Sequence, residues 1–305
     1  DEVIVPSFTF FATAGAAWNS GFTPVFCDVD PDTFNVTVET LEAVRTERTR
    51  AVIPVHLYGQ MAPMAEICSW AEEKGIFVLE DAAQAIGARQ RLAEESSEGS
   101  RAGKWKMAGA WGDAGAFSFF PTKNLGGFGD GGLVTARDED FGEVISKLRV
   151  HGGRQMYHHE MVGTNSRLDA LQAAVLRVKL PHLDGWAEGR RQNAALYDEL
   201  LSGLDEVQTP VIEAGNHHVY NQYTLRAHRR DELREFLGNR GIGTGLYYPL
   251  GLDLQECFGS LGGKPGDLPV TEALTKEVVS LPIFPELTEG QVAEVAGAIR
   301  EFYGD

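Results

Sequence analysis

Short apolar runs rich in β-branched residues alternate with longer amphipathic stretches over the first 150 residues of the chain. Short apolar runs predict buried strands, and apolar residues spaced three or four apart predict helices. The pattern predicts, in chain order, strand Val3–Val5, helix Thr9–Asn19, strand Thr23–Val29, helix Val38–Arg45, strand Ala51–Leu57, helix Ala62–Lys74, strand Ile76–Leu79, and strands Ala114–Phe119 and Leu133–Ala136. This alternation is typical of an α/β fold with a mostly parallel sheet.

A polar segment interrupts the alternation at Arg89–Met107. Its central part, Glu94–Ser100, consists of glutamates, serines and one glycine. Residues of these types bury too little apolar surface to offset the loss of chain entropy on folding. We therefore predict a disordered surface loop here.

Helical periodicity returns over Leu168–Leu180, stops at Pro181 and resumes over Leu183–Leu204, since proline interrupts a helix. Further elements are predicted at Tyr220–Ala227, Asp231–Arg240, Gly243–Tyr248, Glu272–Val279 and Glu289–Phe302. We predict a large domain over residues 1–180 and a smaller C-terminal α+β domain over residues 181–305, because a chain of this length exceeds one ordinary core.

The charge balance argues against one class of partner. The 305 residues hold 27 Lys and Arg against 44 Asp and Glu, which gives a net charge of −17. Binding to nucleic acid needs clustered cations, and no large basic block is present, so we expect no nucleic-acid partner. No apolar run approaches the roughly 18 residues of a membrane-spanning helix, so we expect no membrane association.

The cysteines and histidines do not form a metal-binding pattern. Cys27, Cys68 and Cys257 are widely spaced, and their odd number argues against a disulfide framework. His158 and His159 lack the spaced carboxylates of a metal site. We expect no bound metal and a location in the reducing cytoplasm.

Two segments carry candidate chemistry, because ligands of open α/β sheets bind beyond the carboxyl ends of the strands. In the first, an apolar strand runs into Glu80 and Asp81 and then into small residues and Gln84. From this segment alone, a helix N-cap at Asp81 explains the residues equally well. In the second, Lys123 follows a strand and a turn that contain Phe119 and Phe120. Aromatic surroundings lower the pKa of an amine by desolvation, although a single lysine in a turn is also common on surfaces.

A glycine-rich turn follows the lysine and contains Gly127, Gly129 and Gly132 in GxGxxG spacing. A dinucleotide site requires a strand, then the glycines, then a helix. Here Gly132 leads into a predicted strand. We therefore reject a dinucleotide-binding interpretation of this turn.

Taken together, the ordered motifs resemble one family, the DegT/DnrJ/EryC1/StrS sugar aminotransferases. The resemblance rests on five motifs spread over nearly the whole chain, and any one of them would be a weak signal. They are Pro6–Phe10, Pro54–Gly59, Glu80–Ala85, Ser118–Gly126 with Lys123, and Gly163–Ala174 with Asn165, Arg167 and Gln172. It implies an enzyme dependent on pyridoxal 5'-phosphate (PLP), with fold type I, the aspartate-aminotransferase-like fold.

The resemblance also implies roles for individual residues. Lys123 matches the lysine that bonds covalently to PLP, acts as nucleophile and later moves a proton. The other matches are Asp81 to the partner of the pyridine nitrogen, Gln84 to the residue near the ring hydroxyl, Phe10 to the ring-stacking aromatic, Ser118 to a phosphate ligand, and Asn165 and Arg167 to groups supplied by a second subunit. A shared site of this kind implies an obligatory homodimer.

The implied reaction moves an amino group from glutamate to the ketone of a nucleotide-linked sugar. His56, Tyr247 and Tyr248 are candidate sugar contacts, for which purely structural roles explain the residues as well. The segment from Asn165 to Leu180 is most similar to enzymes that aminate dTDP-3-oxo-6-deoxyhexoses at C3. Amination at C4, or of an N-acetyl sugar, is the alternative.

Two departures from the family pattern stand out. Relatives usually carry a Ser-Gly-Thr motif that holds the cofactor phosphate, some 20 residues before the strand that matches Val3–Val5, and the sequence begins after it. We expect either a fragment or an incomplete phosphate site. Asp253 stands where relatives tend to have histidine, which puts the substrate pocket there in doubt.

Two rival functions remain open. A sugar dehydratase of the same fold has histidine in place of the lysine, and Lys123 argues against it. A catalytically silent relative that binds a sugar nucleotide or regulates other genes is the rival from another class. The joint presence of Asp81, Gln84 and Lys123 favours the enzyme.

Overall fold

The computed structural model of the chain describes residues 1–92 and 104–304. The predicted loop at Glu94–Ser100 lies outside the described residues. Within the described ranges, no helix is both long enough and apolar enough to cross a membrane.

The strands and helices of the described residues follow one another along the whole chain. The strands are β1 Glu2–Pro6, β2 Thr23–Cys27, β3 Thr49–Val52, β4 Phe77–Asp81, β5 Arg89–Arg91, β6 Trp105–Met107, β7 Ala114–Ser118, β8 Gly132–Ala136, β9 Val207–Gln208, β10 Asn216–His217, β11 Tyr223–Ala227 and β12 Val278–Leu281. The helices are α1 Ala12–Asn19, α2 Val38–Glu42, α3 Met64–Lys74, α4 Glu139–Leu148, α5 Ala170–Lys179, α6 Leu183–Leu200, α7 Arg230–Asn239, α8 Pro269–Glu277 and α9 Glu289–Tyr303.

The main sheet has six strands in the order β2-β1-β3-β4-β7-β8. All neighbouring pairs are parallel except β7 and β8, which are antiparallel. Parallel strands end at the same edge of a sheet, so Pro6, Asp81 and Ser118 come to one edge. The mostly parallel α/β sheet predicted from the sequence is confirmed.

Local signals explain where several helices begin and end. Helix α3 ends at Gly75, whose φ of 65° is left-handed and suits glycine. Helices α2 and α9 begin at Thr37 and Thr288, and each threonine forms a capping box with the residue three positions later. These caps satisfy backbone groups at the helix ends and so define where the helices begin and end.

The two largest of the four hydrophobic clusters among the described residues form most of the interior. The first lies around the main sheet and includes Ile4, Val52 and Val78, and the second joins α6, α7 and α9 to the antiparallel sheet β12-β11-β9. Ala187 and Leu274 pack into the first cluster although they follow residue 180. The domain division at residue 181 stays a prediction.

The structure corrects several predicted elements. The ends of the segment between residues 89 and 107 form β5 and β6, which pair with each other, and β5 also pairs with β10 in a third sheet. Helix α4 was missed, although Asp138 caps it by accepting a hydrogen bond from the Phe141 N–H at 2.8 Å. The predicted helix over Glu272–Val279 ends earlier, because Val278 already begins β12. Gly243–Tyr248 forms no strand beyond one isolated bridge between Gly245 and Ser280.

Candidate active site

Asp81 is the last residue of β4, and its main chain is fixed from two sides. Its N–H donates to the Pro54 carbonyl at 2.9 Å, and its carbonyl accepts from the His56 N–H at 3.0 Å. The half-buried carboxylate accepts from the Thr13 hydroxyl at 2.7 Å and from the Ala83 N–H at 3.2 Å. No α-helix begins at Asp81, so the N-cap alternative is wrong.

Lys123 lies in the loop after β7. Backbone hydrogen bonds within the loop hold it closed. The Phe119 N–H donates to the Gly131 carbonyl at 2.8 Å, the Gly127 N–H donates to the Phe119 carbonyl at 2.7 Å, and the Lys123 N–H donates to the Phe120 carbonyl at 2.9 Å. These bonds hold the lysine at the sheet edge where β4 and β7 end.

The electrostatics of Lys123 tie it to Asp81. Burial lowers the pKa of the Lys123 amine, and the negative charge of Asp81 acts in the opposite direction. The net direction is downward, so more of the amine is uncharged at neutral pH than for a solvated lysine. A partly uncharged amine close to a fixed carboxylate is suited to nucleophilic attack and proton transfer.

Gln84 is buried, and its amide is held at both ends. Its Oε1 accepts from the Tyr58 N–H at 2.5 Å, and its Nε2 donates to the Tyr248 hydroxyl at 3.2 Å. A primary amide has two N–H donors, so one remains for a further partner. Tyr58 is held in turn, since its hydroxyl donates to the Tyr247 carbonyl.

Aromatic rings form a wall beside these groups. Phe10 is 60% exposed, and its ring centroid lies 6.4 Å from that of Tyr248. Tyr248 also packs edge-on against Phe8, with 6.1 Å between centroids, and burial raises the pKa of its hydroxyl above the ordinary value. Phe10 therefore presents a free aromatic surface next to fixed rings.

Four further predicted residues lie at the end of β7, before α5 and beside Tyr248. Ser118 ends β7, and its hydroxyl accepts from the Phe120 N–H at 3.2 Å. Asn165 and Arg167 are exposed in the segment that leads into α5. Tyr247 is exposed, next to Tyr248.

The surroundings of His56 favour its structural alternative over a sugar contact. The side chain is completely buried, and its Nε2 lies 2.9 Å from the Glu80 carboxylate. Its Nδ1 accepts from the Ala62 N–H at 3.2 Å, which places the ring proton on Nε2. Both nitrogens are therefore used inside the protein.

Two residues of the site were missed by the sequence reasoning. Thr13 is buried on α1 and holds Asp81, and a polar residue among the alanines of that helix was the available signal. Tyr58 adopts a left-handed φ of 57°, which is rare for a tyrosine. It lies in the Pro54–Gly59 motif, but nothing in the sequence marked its contact with Gln84, which uses a backbone N–H.

A lysine, a carboxylate, a fixed amide and a free aromatic face lie at the edge of this sheet, as the resemblance implied. The chain belongs to the DegT/DnrJ/EryC1/StrS aminotransferase family, whose sequence profile matches residues 1–300. It is a sugar aminotransferase, and its fold is the α/β fold of that family, as the resemblance implied.

The similar proteins include both enzymes and a protein named as a regulator. A pleiotropic regulatory protein of Geobacillus stearothermophilus is 51% identical over 99% of this chain and 78% of its own length. A UDP-N-acetyl-3-dehydro-alpha-D-glucosamine 3-aminotransferase of Acidithiobacillus ferrooxidans is 46% identical, with 98% and 77% covered.

A dTDP-3-amino-3,4,6-trideoxy-alpha-D-glucose transaminase of Streptomyces venezuelae is 44% identical, with 99% of this chain and 76% of the relative covered. The crystal structure of S. venezuelae DesV in complex with a ketimine intermediate superposes with a TM-score of 0.93 and 42% identity. It covers 100% of this chain, which spans 79% of that structure.

Proposed function

We propose that the chain is a PLP-dependent aminotransferase that moves an amino group from glutamate to a keto-sugar nucleotide. The observation that carries the proposal is the pairing of a desolvated Lys123 amine with the fixed carboxylate of Asp81. A lysine whose pKa is lowered, at a sheet edge where a fixed carboxylate acts on it electrostatically, is typical of a catalytic site.

The residues present fit PLP. A fixed carboxylate is needed for the pyridine nitrogen, and two hydrogen bonds hold Asp81 in place. The unused N–H of Gln84 suits the ring hydroxyl, and the free face of Phe10 suits the ring. Ser118, at the end of β7, is the proposed phosphate ligand on this chain.

PLP, when bound, supplies an electron sink for the carbon that carries the amino group. Lys123 would bind it covalently through the amine and would then hold and move the proton at that carbon. Asp81 would keep the ring nitrogen charged, and Thr13 would keep Asp81 in place. Each of these tasks needs a residue of fixed position, which the hydrogen bonds around Asp81 and the closed loop around Lys123 provide.

For the acceptor, we propose amination at C3 of a dTDP-3-oxo-6-deoxyhexose. The names of the Streptomyces and Acidithiobacillus relatives both place the amino group at C3, which favours C3 over C4. The Acidithiobacillus relative acts on a UDP-linked N-acetyl sugar, so this substrate is the second candidate. Tyr247 and Tyr248 are the proposed sugar contacts on this chain.

We also propose a homodimer in the cytoplasm. Asn165 and Arg167 are exposed, and nearby α5 exposes Leu171 and Val178 to 81% and 72%. Exposed apolar residues on a helix face are typical of an interface between subunits. The three cysteines are free, which fits a reducing compartment.

The rival is a silent regulatory protein, which the name of the Geobacillus relative favours. A cofactor-binding test separates the two functions. Purified protein is mixed with PLP, scanned for a visible absorbance band and reduced with borohydride, and the modified lysine is located by mass spectrometry. The enzyme is expected to carry the label on Lys123, whereas a colourless, unlabelled protein would support the regulator.

A substrate assay then tests the acceptor. Glutamate is supplied with 3-oxo and 4-oxo sugars, each linked to dTDP or UDP, and the formation of 2-oxoglutarate is measured. We expect the highest kcat/KM with the dTDP-linked 3-oxo sugar. Turnover of only the 4-oxo sugars would overturn the C3 assignment, and a preference for the UDP-linked N-acetyl sugar would establish the second candidate.

A further inference from the structure

The glycine-rich turn after Lys123 packs against a side chain of α5, a contact that its sequence spacing did not predict. A Cβ atom on Gly127 would lie 2.7 Å from the Gln172 Oε1, and one on Gly129 would lie 2.9 Å from the Gln172 Nε2. Real Cβ atoms do not approach other atoms so closely. Glycine at both positions therefore leaves room for the amide of Gln172, which comes from α5.

The same amide bonds to the turn. Its Oε1 accepts from the Phe128 N–H at 2.7 Å, while the Phe128 side chain itself is 81% exposed. A second contact from α5 lies next to it, where the Lys179 amine donates to the Gly126 carbonyl at 2.5 Å. Helix α5 therefore contacts the part of the loop that follows Lys123 at two residues, Gly126 and Phe128.

The residue directly after Lys123 is fixed separately. The buried amide of Asn124 donates to the Val219 carbonyl at 3.0 Å. Because the Gly127 N–H bonds to the Phe119 carbonyl, a displacement of the turn is passed back to the start of the loop. The position of Lys123 therefore depends on both anchors, one at Asn124 and one at Gln172.

We propose that Gln172 is a positioning residue for Lys123, and that glycines 127 and 129 are present to admit its amide. The Gln172 side chain accepts a hydrogen bond from the Phe128 N–H and so fixes the distance between α5 and the turn. The functional part of this inference rests on the proposed role of Lys123 in binding PLP. Its structural part can be measured on the protein without cofactor.

The first experiment compares three variants. Gln172→Leu removes the acceptor at nearly constant size, Gln172→Glu keeps an acceptor at the same distance, and Gln192→Leu makes the same change on the exposed side of α6 as a control. Hydrogen exchange at the Phe128 amide and the acetylation rate of Lys123, relative to the exposed Lys264, are measured without cofactor.

In Gln172→Leu we expect both rates to rise roughly fivefold, the effect of one lost hydrogen bond. The dissociation constant of PLP should rise by a similar factor, with a smaller labelled fraction of Lys123 after reduction. Gln172→Glu should restore all three to within about twofold, and Gln192→Leu should match the unmodified protein. Unchanged exchange and acetylation in Gln172→Leu, or a glutamate variant as impaired as the leucine variant, would overturn the proposal.

The second experiment uses the glycine contact. Gly127→Ala alone should displace the Gln172 amide and raise the Phe128 exchange and Lys123 acetylation rates. In the Gln172→Ala background the same change should have almost no further effect, because the next atoms around that Cβ lie at 3.5 Å or beyond. Additive effects of the two substitutions would show that they act through different contacts and would overturn the proposal.

The two proposals fail in different ways. If unmodified protein does not bind PLP while the exchange and acetylation results hold, the proposed function is wrong and the positioning role stands. If PLP labels Lys123 in the unmodified protein and equally in Gln172→Leu, the function stands and the positioning role is wrong.

Discussion

Glu80 and Asp81 are neighbours on β4, yet their surroundings are opposite. Glu80 is completely buried, and its carboxylate accepts from His56 and from three backbone N–H groups, those of Gly109, Trp111 and Gly112, at 2.6–2.9 Å. Asp81 has two donors and acts electrostatically on Lys123. A saturated carboxylate stabilises the fold, whereas one with spare acceptor capacity beside an amine is available for chemistry.

The pKa of Glu80 shows the same saturation. Burial alone would raise the pKa of this carboxyl, but hydrogen bonds from His56 and the backbone of Gly112 and Gly109 outweigh burial and hold it below its ordinary value. Glu80 is therefore ionised in the interior and unavailable as an acid. The alternation of side chains along a strand places these two carboxylates on opposite faces of the sheet.

The largest effect should come from the catalytic side. Lys123→Ala and Asp81→Asn should each lower kcat/KM by about 10²–10⁴-fold, the usual contribution of a group that moves protons or holds charge at the reacting centre. Unfolding in urea should change little. The matched control is Asp130→Asn, an exposed aspartate of the same loop, which should keep its activity. Retained activity in Lys123→Ala would show that the site formed by Lys123 and Asp81 is not catalytic.

The second effect should come from the saturated side. Glu80→Ala should lower the free energy of unfolding by about 3–5 kcal/mol, because it leaves His56 and three backbone N–H groups without an acceptor. Urea unfolding at neutral pH measures it. Glu294→Ala, on the exposed face of α9, is the control and should change stability by no more than about 0.5 kcal/mol. A loss of that small size in Glu80→Ala would show that the carboxylate is not structural.

The pH dependence should sharpen the same point. The folded pKa of Glu80 lies below its unfolded value, so its stabilisation is complete above the unfolded value and is lost as the pH falls through the folded value. The stability difference between unmodified protein and Glu80→Gln should therefore be largest near pH 7 and should shrink in acid. Urea unfolding series at several pH values measure this difference. A difference that grows in acid would contradict the lowered pKa.

The smallest effect concerns a third buried carboxylate. Asp253 accepts from the Ser7 hydroxyl at Oδ1, while its buried Oδ2 has no hydrogen-bond partner within the described ranges. Burial raises its pKa, so any stability it contributes is present below the unfolded value and is lost as the pH rises. Asp253→Asn should thus increase stability by about 1 kcal/mol at pH 8 and by less at pH 4, measured by urea unfolding. Destabilisation at pH 8 would show that Oδ2 has a partner.

Much of this arrangement could be predicted from residue pattern. The strand that ends in Asp81 was identified because a run of apolar residues met two carboxylates, and Lys123 because a lysine followed a strand and aromatic residues. The end of α3 was identified because Gly75 follows its last lysine. Each of these signals is local, and local rules are what a single sequence carries.

Two of the gaps have a common cause, since each depended on a contact between distant segments. His56 had the residue type of a ligand-binding group, and only the fold brings Glu80 to its ring. Gln172 lies 45 positions after Gly127 and 43 after Gly129. The sequence alone could therefore exclude a dinucleotide site at this turn, but it could not show why the turn needs glycine. Strands β5 and β6 were missed because they are short and polar.

Two bonds described above limit how the protein can move. Tyr58 donates to the carbonyl of Tyr247, and Gln84 donates to the hydroxyl of Tyr248. Rotation of the C-terminal half away from the sheet would have to break both bonds at the wall of the site. A wide hinge opening would therefore cost these two hydrogen bonds, and local shifts of side chains or loops are the less costly motion.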